Sequence, residues 1–225
     1  MKKFALMVLC AALSAGAFAA DKEVEDLLAK MRKAYKNIGT VTFKLESTIL
    51  TPNGDIVIHM IGGFKSPNKM YVDIELPGAR VKVVSDGKKV YSVRGDSERI
   101  MEMPYNIDVL GDALMGANLE VINFYDWERQ LSTGADGNMH DSKLSIRKNE
   151  KWNGKNWLVL EESAPKAAEG RGVYVEYYID PKTHFVWRTV QMSLDKEFTR
   201  GDFILKSLKK GAKISDKRFQ KPIRT

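Results

Sequence analysis

Hydrophobic and polar positions alternate along this chain with two distinct periods, and the change from one to the other comes early. From Asp21, Val24, Leu27, Leu28, Met31, Ala34, Tyr35 and Ile38 recur at three- and four-residue steps with Glu, Lys and Arg between them. That spacing predicts an amphipathic helix of about four turns, with one apolar stripe to bury and Gly39 placed to end it. The period then becomes two. In "TVTFKLESTIL", Val41, Phe43, Leu45 and Ile49 share one face, while Thr42, Lys44, Glu46 and Thr48 share the other. "IVIHMIGGF" puts Ile56, Ile58, Met60 and Phe64 on one side, and "KMYVDIEL" sets Met70, Val72, Ile74 and Leu76 against Tyr71, Asp73 and Glu75. The same alternation returns in "ARVKVVS", "KKVYSV", "ERIMEM", "KLSIRK", "NWLVLEES", "GVYVEYYID", "HFVWRTVQM" and "DFILKSL".

Turn signals at Asn53-Gly54, Asp86-Gly87, Gly95-Asp96, Asn153-Gly154 and Asp180-Pro181 separate these runs. Such pairs bounded by β-branched and aromatic residues mark hairpins. About eleven strands joined by short turns predict a mainly β fold: a curved antiparallel half-barrel with one buried face and one wet face, covered by helices. The expected cover is the N-terminal helix together with "PYNIDVLGDALMGANLEVINFYDWERQL", residues 104–131. There Ile107, Leu110 and Leu114 follow a helical stripe that Gly111 and Gly116 break into short pieces.

Composition refines this outline at the two ends. Residues 1–20 read "MKKFALMVLCAALSAGAFAA": two lysines, an apolar run and small residues around a cut near Ala19 or Ala20. This is the pattern of a cleaved secretory signal peptide, which predicts export to the periplasm and leaves 21–225 as a single domain. Cys10, the one cysteine, falls within the signal, so the mature chain is expected to form no disulfide. The formal net charge of +7 is concentrated in residues 206–225. Lys206, Lys209, Lys210, Lys213, Lys217, Arg218, Lys221 and Arg224 stand there against Asp216 alone. A solvated basic C-terminal tail is the plain expectation, and contact with anionic lipid or an acidic partner is the functional one. Phe219 is the tail's lone aromatic, which offers no stacking platform for nucleic acid.

Catalytic chemistry is not evident. His59, His140 and His184 lie in unrelated contexts without metal-ligand spacing, and no nucleophile elbow or phosphate-cradling loop occurs. No metal, cofactor or enzymatic activity is expected. Ten methionines are present, and Met60 and Met70 fall on the apolar face. Flexible, polarizable Met suits a surface that accepts variable apolar shapes.

One region gathers these features. Between Gly62 and Lys88 stand "GGFKSPNK", a strand, Pro77, and then "VVSDGK". With the signal peptide, the first helix, the hairpin series and the closing "DFILKSLKKGAKISD", this order resembles the LolA family of periplasmic outer-membrane lipoprotein carriers. The resemblance implies an eleven-stranded half-barrel with a helical lid over an apolar cavity. It further implies a monomer that accepts lipoprotein acyl chains from an inner-membrane ABC transporter and passes them to an outer-membrane acceptor. Another lipid as cargo, or a periplasmic interaction or sensor role, is the alternative. Carried over by motif, the cavity positions are Met70, Val72, Ile74 and Val83, with Phe43 and Met60 on the same apolar face, and the lid positions are Leu114 and Met115. The family arginine that latches the lid is replaced by Ser66, which lacks the five-donor charged fork of arginine.

Overall fold

The structure, a computed structural model, describes residues 22–51, 53–95, 100–106, 143–164, 173–193 and 199–222. Residues 22–36 form helix α1. Its buried residues are Val24, Leu27, Met31 and Tyr35, with Ile38 just beyond its end, which is the stripe read from the sequence. Gly39 follows with φ of 68°, a conformation that glycine adopts without steric cost.

Eleven strands follow: β1 (Thr40–Ile49), β2 (Ile56–Lys65), β3 (Lys69–Leu76), β4 (Ala79–Asp86), β5 (Lys89–Arg94), β6 (Met101–Pro104), β7 (Lys143–Trp152), β8 (Lys155–Ala164), β9 (Val173–Ile179), β10 (Val186–Ser193) and β11 (Thr199–Lys210). They form one sheet in the order β6-β5-β4-β3-β2-β1-β11-β10-β9-β8-β7. The first six strands step outward in one direction and the last five in the other, and β1 and β11 pair antiparallel at the centre, Phe43 opposite Leu208. β6 and β7, neighbours in chain order, are the two edges of an open sheet. Pro104 closes β6 opposite Lys89, on an edge strand, where a residue without an N–H is tolerated.

One face of the sheet carries the main core. Val41, Phe43, Leu45, Met60, Phe64, Met70, Val72, Ile74, Val81, Val83 and Val90 join Leu160, Val175, Tyr177, Ile179, Phe203 and Leu205 in a single buried cluster with the α1 stripe. The helix is pinned as well as packed. The backbone N–H of Val186 donates to Tyr35 Oη at 3.0 Å, and the Tyr35 and Phe185 rings meet edge-on at 5.0 Å.

The opposite face is drier than simple alternation predicts. Trp157, Val159, Tyr178 and Val190 form a second buried cluster there, flanked by Trp152, Trp187 and Met192. Arg188 lies over the Trp152 and Tyr178 rings at 5.3 and 5.1 Å and holds Asp202 through two hydrogen bonds of 2.8 Å. Period two says which residues share a face, but it does not say that aromatics on the outer face will shield one another.

The C-terminal expectation also needs correction. Residues 206–210 are not tail but the end of β11. Beyond Gly211 the chain folds back over the outer face and forms a 3-10 turn, Asp216–Phe219, with Ser215 at its N-cap. Phe219 is 1% exposed and packs against Tyr71 at 5.8 Å. Arg218 lies over the Tyr71 ring at 4.2 Å, Asp216 pairs with Lys65 at 2.9 Å, and Lys221 pairs with Glu102 at 2.8 Å. The segment is a strap, because one aromatic finds a pocket and the charges around it find opposite partners.

Candidate functional site

Pairing register turns the inner face, the one against α1, into a grid. From the β1–β2 turn downward, successive rows are Ile49 and Ile56; Ser47 and Ile58; Leu45, Met60 and Ile74; Phe43, Gly62, Val72 and Val83; and Val41, Phe64, Met70 and Ser85. Five of the six sheet positions named from sequence and resemblance, Phe43, Met60, Val72, Ile74 and Val83, thus occupy two adjacent rows. Met70 lies one row further on, and all six are at most 3% exposed. The structure brings them together as one apolar wall spanning β1 to β4. Leu114 and Met115, the lid positions, lie outside the described residues, as do His140 and the signal segment.

The wall requires a gap opposite Phe43. A Cβ on Gly62 would lie 2.5 Å from Phe43 Cζ and 2.6 Å from the Tyr71 carbonyl oxygen, so only glycine leaves room for that ring against β2. Toward the β1–β2 turn the face opens. Leu50, Ile56 and Val57 are each nearly two-fifths exposed, and Ile61 on the outer side of β2 is 51% exposed.

Ser66 sits exposed in the turn between β2 and β3. Its N–H donates to the Gly39 carbonyl at 2.9 Å, tying that turn to the end of α1, and its peptide bond to Pro67 is cis. The neighbouring Asn68 joins the two sequence motifs physically. Asn68 Nδ2 donates to the Gly87 carbonyl at 2.9 Å, and Ser85 Oγ donates to the Asn68 carbonyl at 2.9 Å. Gly87 has φ of 90°, and Asp86 Oδ1 accepts from the N–H groups of Lys88 and Lys89 at 2.7 and 2.8 Å. Partial burial pushes the Asp86 carboxyl up, yet those two N–H donors and the Tyr91 hydroxyl outweigh it and leave it below its ordinary value. "SPNK" and "SDGK" are therefore one interlocked corner at the base of the wall, a structural element rather than a binding one.

Among the described residues no group of three or more His, Cys, Asp or Glu is placed to hold a metal ion, and no helix is long and apolar enough to cross a membrane. His59 faces outward 3.8 Å from Glu46. His184 lies in the turn before β10 with φ of 58°, its imidazole held below its ordinary value by burial and then by Lys30. Sequence reasoning missed Glu162, a carboxylate on the inner face that is 7% exposed and accepts from Tyr177 Oη at 2.8 Å. Its signal was faint: in "VLEESA" the alternation sends one of two adjacent glutamates inward.

No family model and no curated protein matches the sequence. Solved structures do show likeness. The Pseudomonas aeruginosa MucA/MucB complex is similar at TM-score 0.49 and 16% identity, covering 89% of this chain and 61% of that one, so this chain spans less than two thirds of that neighbour. LprF from Mycobacterium bovis is similar at TM-score 0.43 and 14% identity, covering 91% and 98%. A LolA superfamily protein from Nitrosomonas europaea is similar at TM-score 0.39 and 10% identity, covering 88% and 97%. The open eleven-stranded antiparallel sheet with α1 against one face is the half-barrel that the LolA resemblance implied, while the implied helical lid lies outside the described residues.

Proposed function

We propose that this protein is a non-catalytic periplasmic carrier that takes acyl chains against the inner face of its sheet and moves lipoprotein acyl chains from inner to outer membrane. The observation that carries this reading is the continuous apolar wall of Phe43, Met60, Met70, Val72, Ile74 and Val83, on a sheet whose two edges are not joined to each other. Burial of each methylene is worth about 0.8 kcal/mol, so a long chain binds such a wall without specific chemistry. Met60 and Met70 lie within it, with Met31 of α1 packed in the same buried cluster, and methionine adapts to chains of different shape. The test is uptake of a fluorescent acyl-chain probe by the purified protein. Met70→Glu is expected to abolish uptake with the sheet intact by circular dichroism. Undiminished uptake by the folded variant would show that the wall is in the wrong place.

A second reading is an interaction module for a protein partner. It is favoured by the apolar tip of the β1–β2 hairpin, where Leu50, Ile56 and Val57 are exposed. A stable protein complex recovered by pull-down with no co-purifying lipid would support it.

A further inference from the structure

Ser47 and Thr189 are fully buried, at 0% exposure each, and neither Ser47 Oγ nor Thr189 Oγ1 has a hydrogen-bond partner. Buried hydroxyls in native proteins are nearly always bonded, and each exception calls for an explanation. These two lie in one cross-strand row on the inner face, since Ser47 pairs with Phe203 and Phe203 pairs with Thr189. Two strand spacings place their backbones about 10 Å apart. The Phe203 ring between them leans over Gly201, whose added Cβ would lie 2.8 Å from it. Gly201 is one row nearer the β1–β2 turn, opposite Ile49. Next in the row is Tyr177, opposite Thr189, and its hydroxyl is already committed to Glu162.

The row's position along the strands matters as much as its chemistry. Toward the β1–β2 turn lie Ile49 and the half-exposed Ile56; in the other direction Leu45, Met60 and Ile74 begin the apolar depth. Donor hydroxyls thus stand where an apolar rim meets an apolar interior. A pure hydrocarbon has nothing to offer them, and the two closely spaced oxygens of one carboxylate fit the separation poorly. Two ester carbonyls on neighbouring glycerol carbons can spread further apart, each accepting an O–H···O bond of about 2.7 Å.

We propose that Ser47 and Thr189 form a subsite for the ester carbonyls of a diacylglyceryl lipid, with its chains directed toward Met60 and Val72 and its glycerol end toward the β1–β2 turn. This inference rests on the acyl-binding reading above and gives it a chemical selectivity. The test compares 1,2-dioctanoylglycerol with its ether counterpart, 1,2-di-O-octylglycerol, each displacing the apolar dye N-phenyl-1-naphthylamine. The chains are the same and only the carbonyls differ. The wild-type protein is expected to prefer the ester by about twenty-five-fold, about fivefold per hydrogen bond. Ser47→Ala with Thr189→Val is expected to bring the two lipids to equal affinity while leaving ether binding unchanged. Removal of an unbonded hydroxyl leaves no stranded partner, so the ligand-free double variant should melt no lower than wild type. Equal wild-type affinities for ester and ether would overturn the subsite and leave acyl binding standing. Failure of both lipids to bind would overturn acyl binding and the subsite together. An ester preference that survives in the double variant, with a lower melting temperature, would assign these hydroxyls to a buried water instead.

Discussion

At the residue scale, Gly62 and Gly63 show how closely the two faces of the sheet constrain one strand. Gly62 makes room for Phe43 on the inner face, while a Cβ on Gly63 would meet the Tyr71 ring at 2.5 Å and Ile214 of the strap at 2.8 Å on the outer face. In the sequence the pair opens the "GGFKSPNK" motif without saying what it accommodates, which depends on residues as far away as Ile214. Gly62→Ala is expected to cost about 1–3 kcal/mol of stability by urea denaturation, since the Tyr71 carbonyl cannot yield as a side chain can. The corner of Asn68, Ser85 and Gly87 is the converse case. Asp86-Gly87 was legible as a turn and Asn68 as part of a motif, but their mutual bonding was not, because it joins positions about twenty residues apart. Asn68→Ala removes one donor and is expected to cost about 1 kcal/mol in the same assay.

Among the elements, the strap is the one that sequence pattern misjudged. Eight basic residues against one acid in 206–225 read as solvated, since a charge run usually is. The outcome turned on Phe219 and on acceptors distributed over β3 and β6, which no local pattern reveals. Phe219→Ala is expected to cost about 3 kcal/mol, at the low end for a buried aromatic, with a matching rise in protease cleavage after Lys213 and Lys217. The strap should also respond to acid. Hydrogen bonds from Lys221 and then Lys89 hold the Glu102 carboxyl at about 2, and the Lys65 hydrogen bond lowers that of Asp216. Folded values below the unfolded ones mean that these attachments are complete above the ordinary carboxylate range and are lost as pH falls through it toward 2. Amide hydrogen exchange over 214–222 is therefore expected to quicken between about pH 4.5 and pH 2, while that of β1 holds. Helix α1 needed no correction, because its stripe is local and its partner is simply the broadest apolar face available.

For the molecule as a whole, eleven strands and a buried face were readable because period two is a property of adjacent residues. The joining of β1 to β11 at the sheet's centre was not, since pairing between chain ends leaves no periodic trace. The apolar wall followed from the same alternation: Met70, Val72 and Ile74 take their face from β3 alone. Glu162, Ser47 and Thr189 did not stand out, because polar residues on an apolar face look like breaks in a pattern until register aligns them. A wall that is apolar in its depth and polar near its rim is the central feature, and lipid mass spectrometry on the protein isolated from its native cells tests it most directly. Diacyl species bound at near one per chain, and displaced by 1,2-dioctanoylglycerol, are the expected result. Protein that emerges free of lipid and takes up no acyl probe afterwards would contradict it.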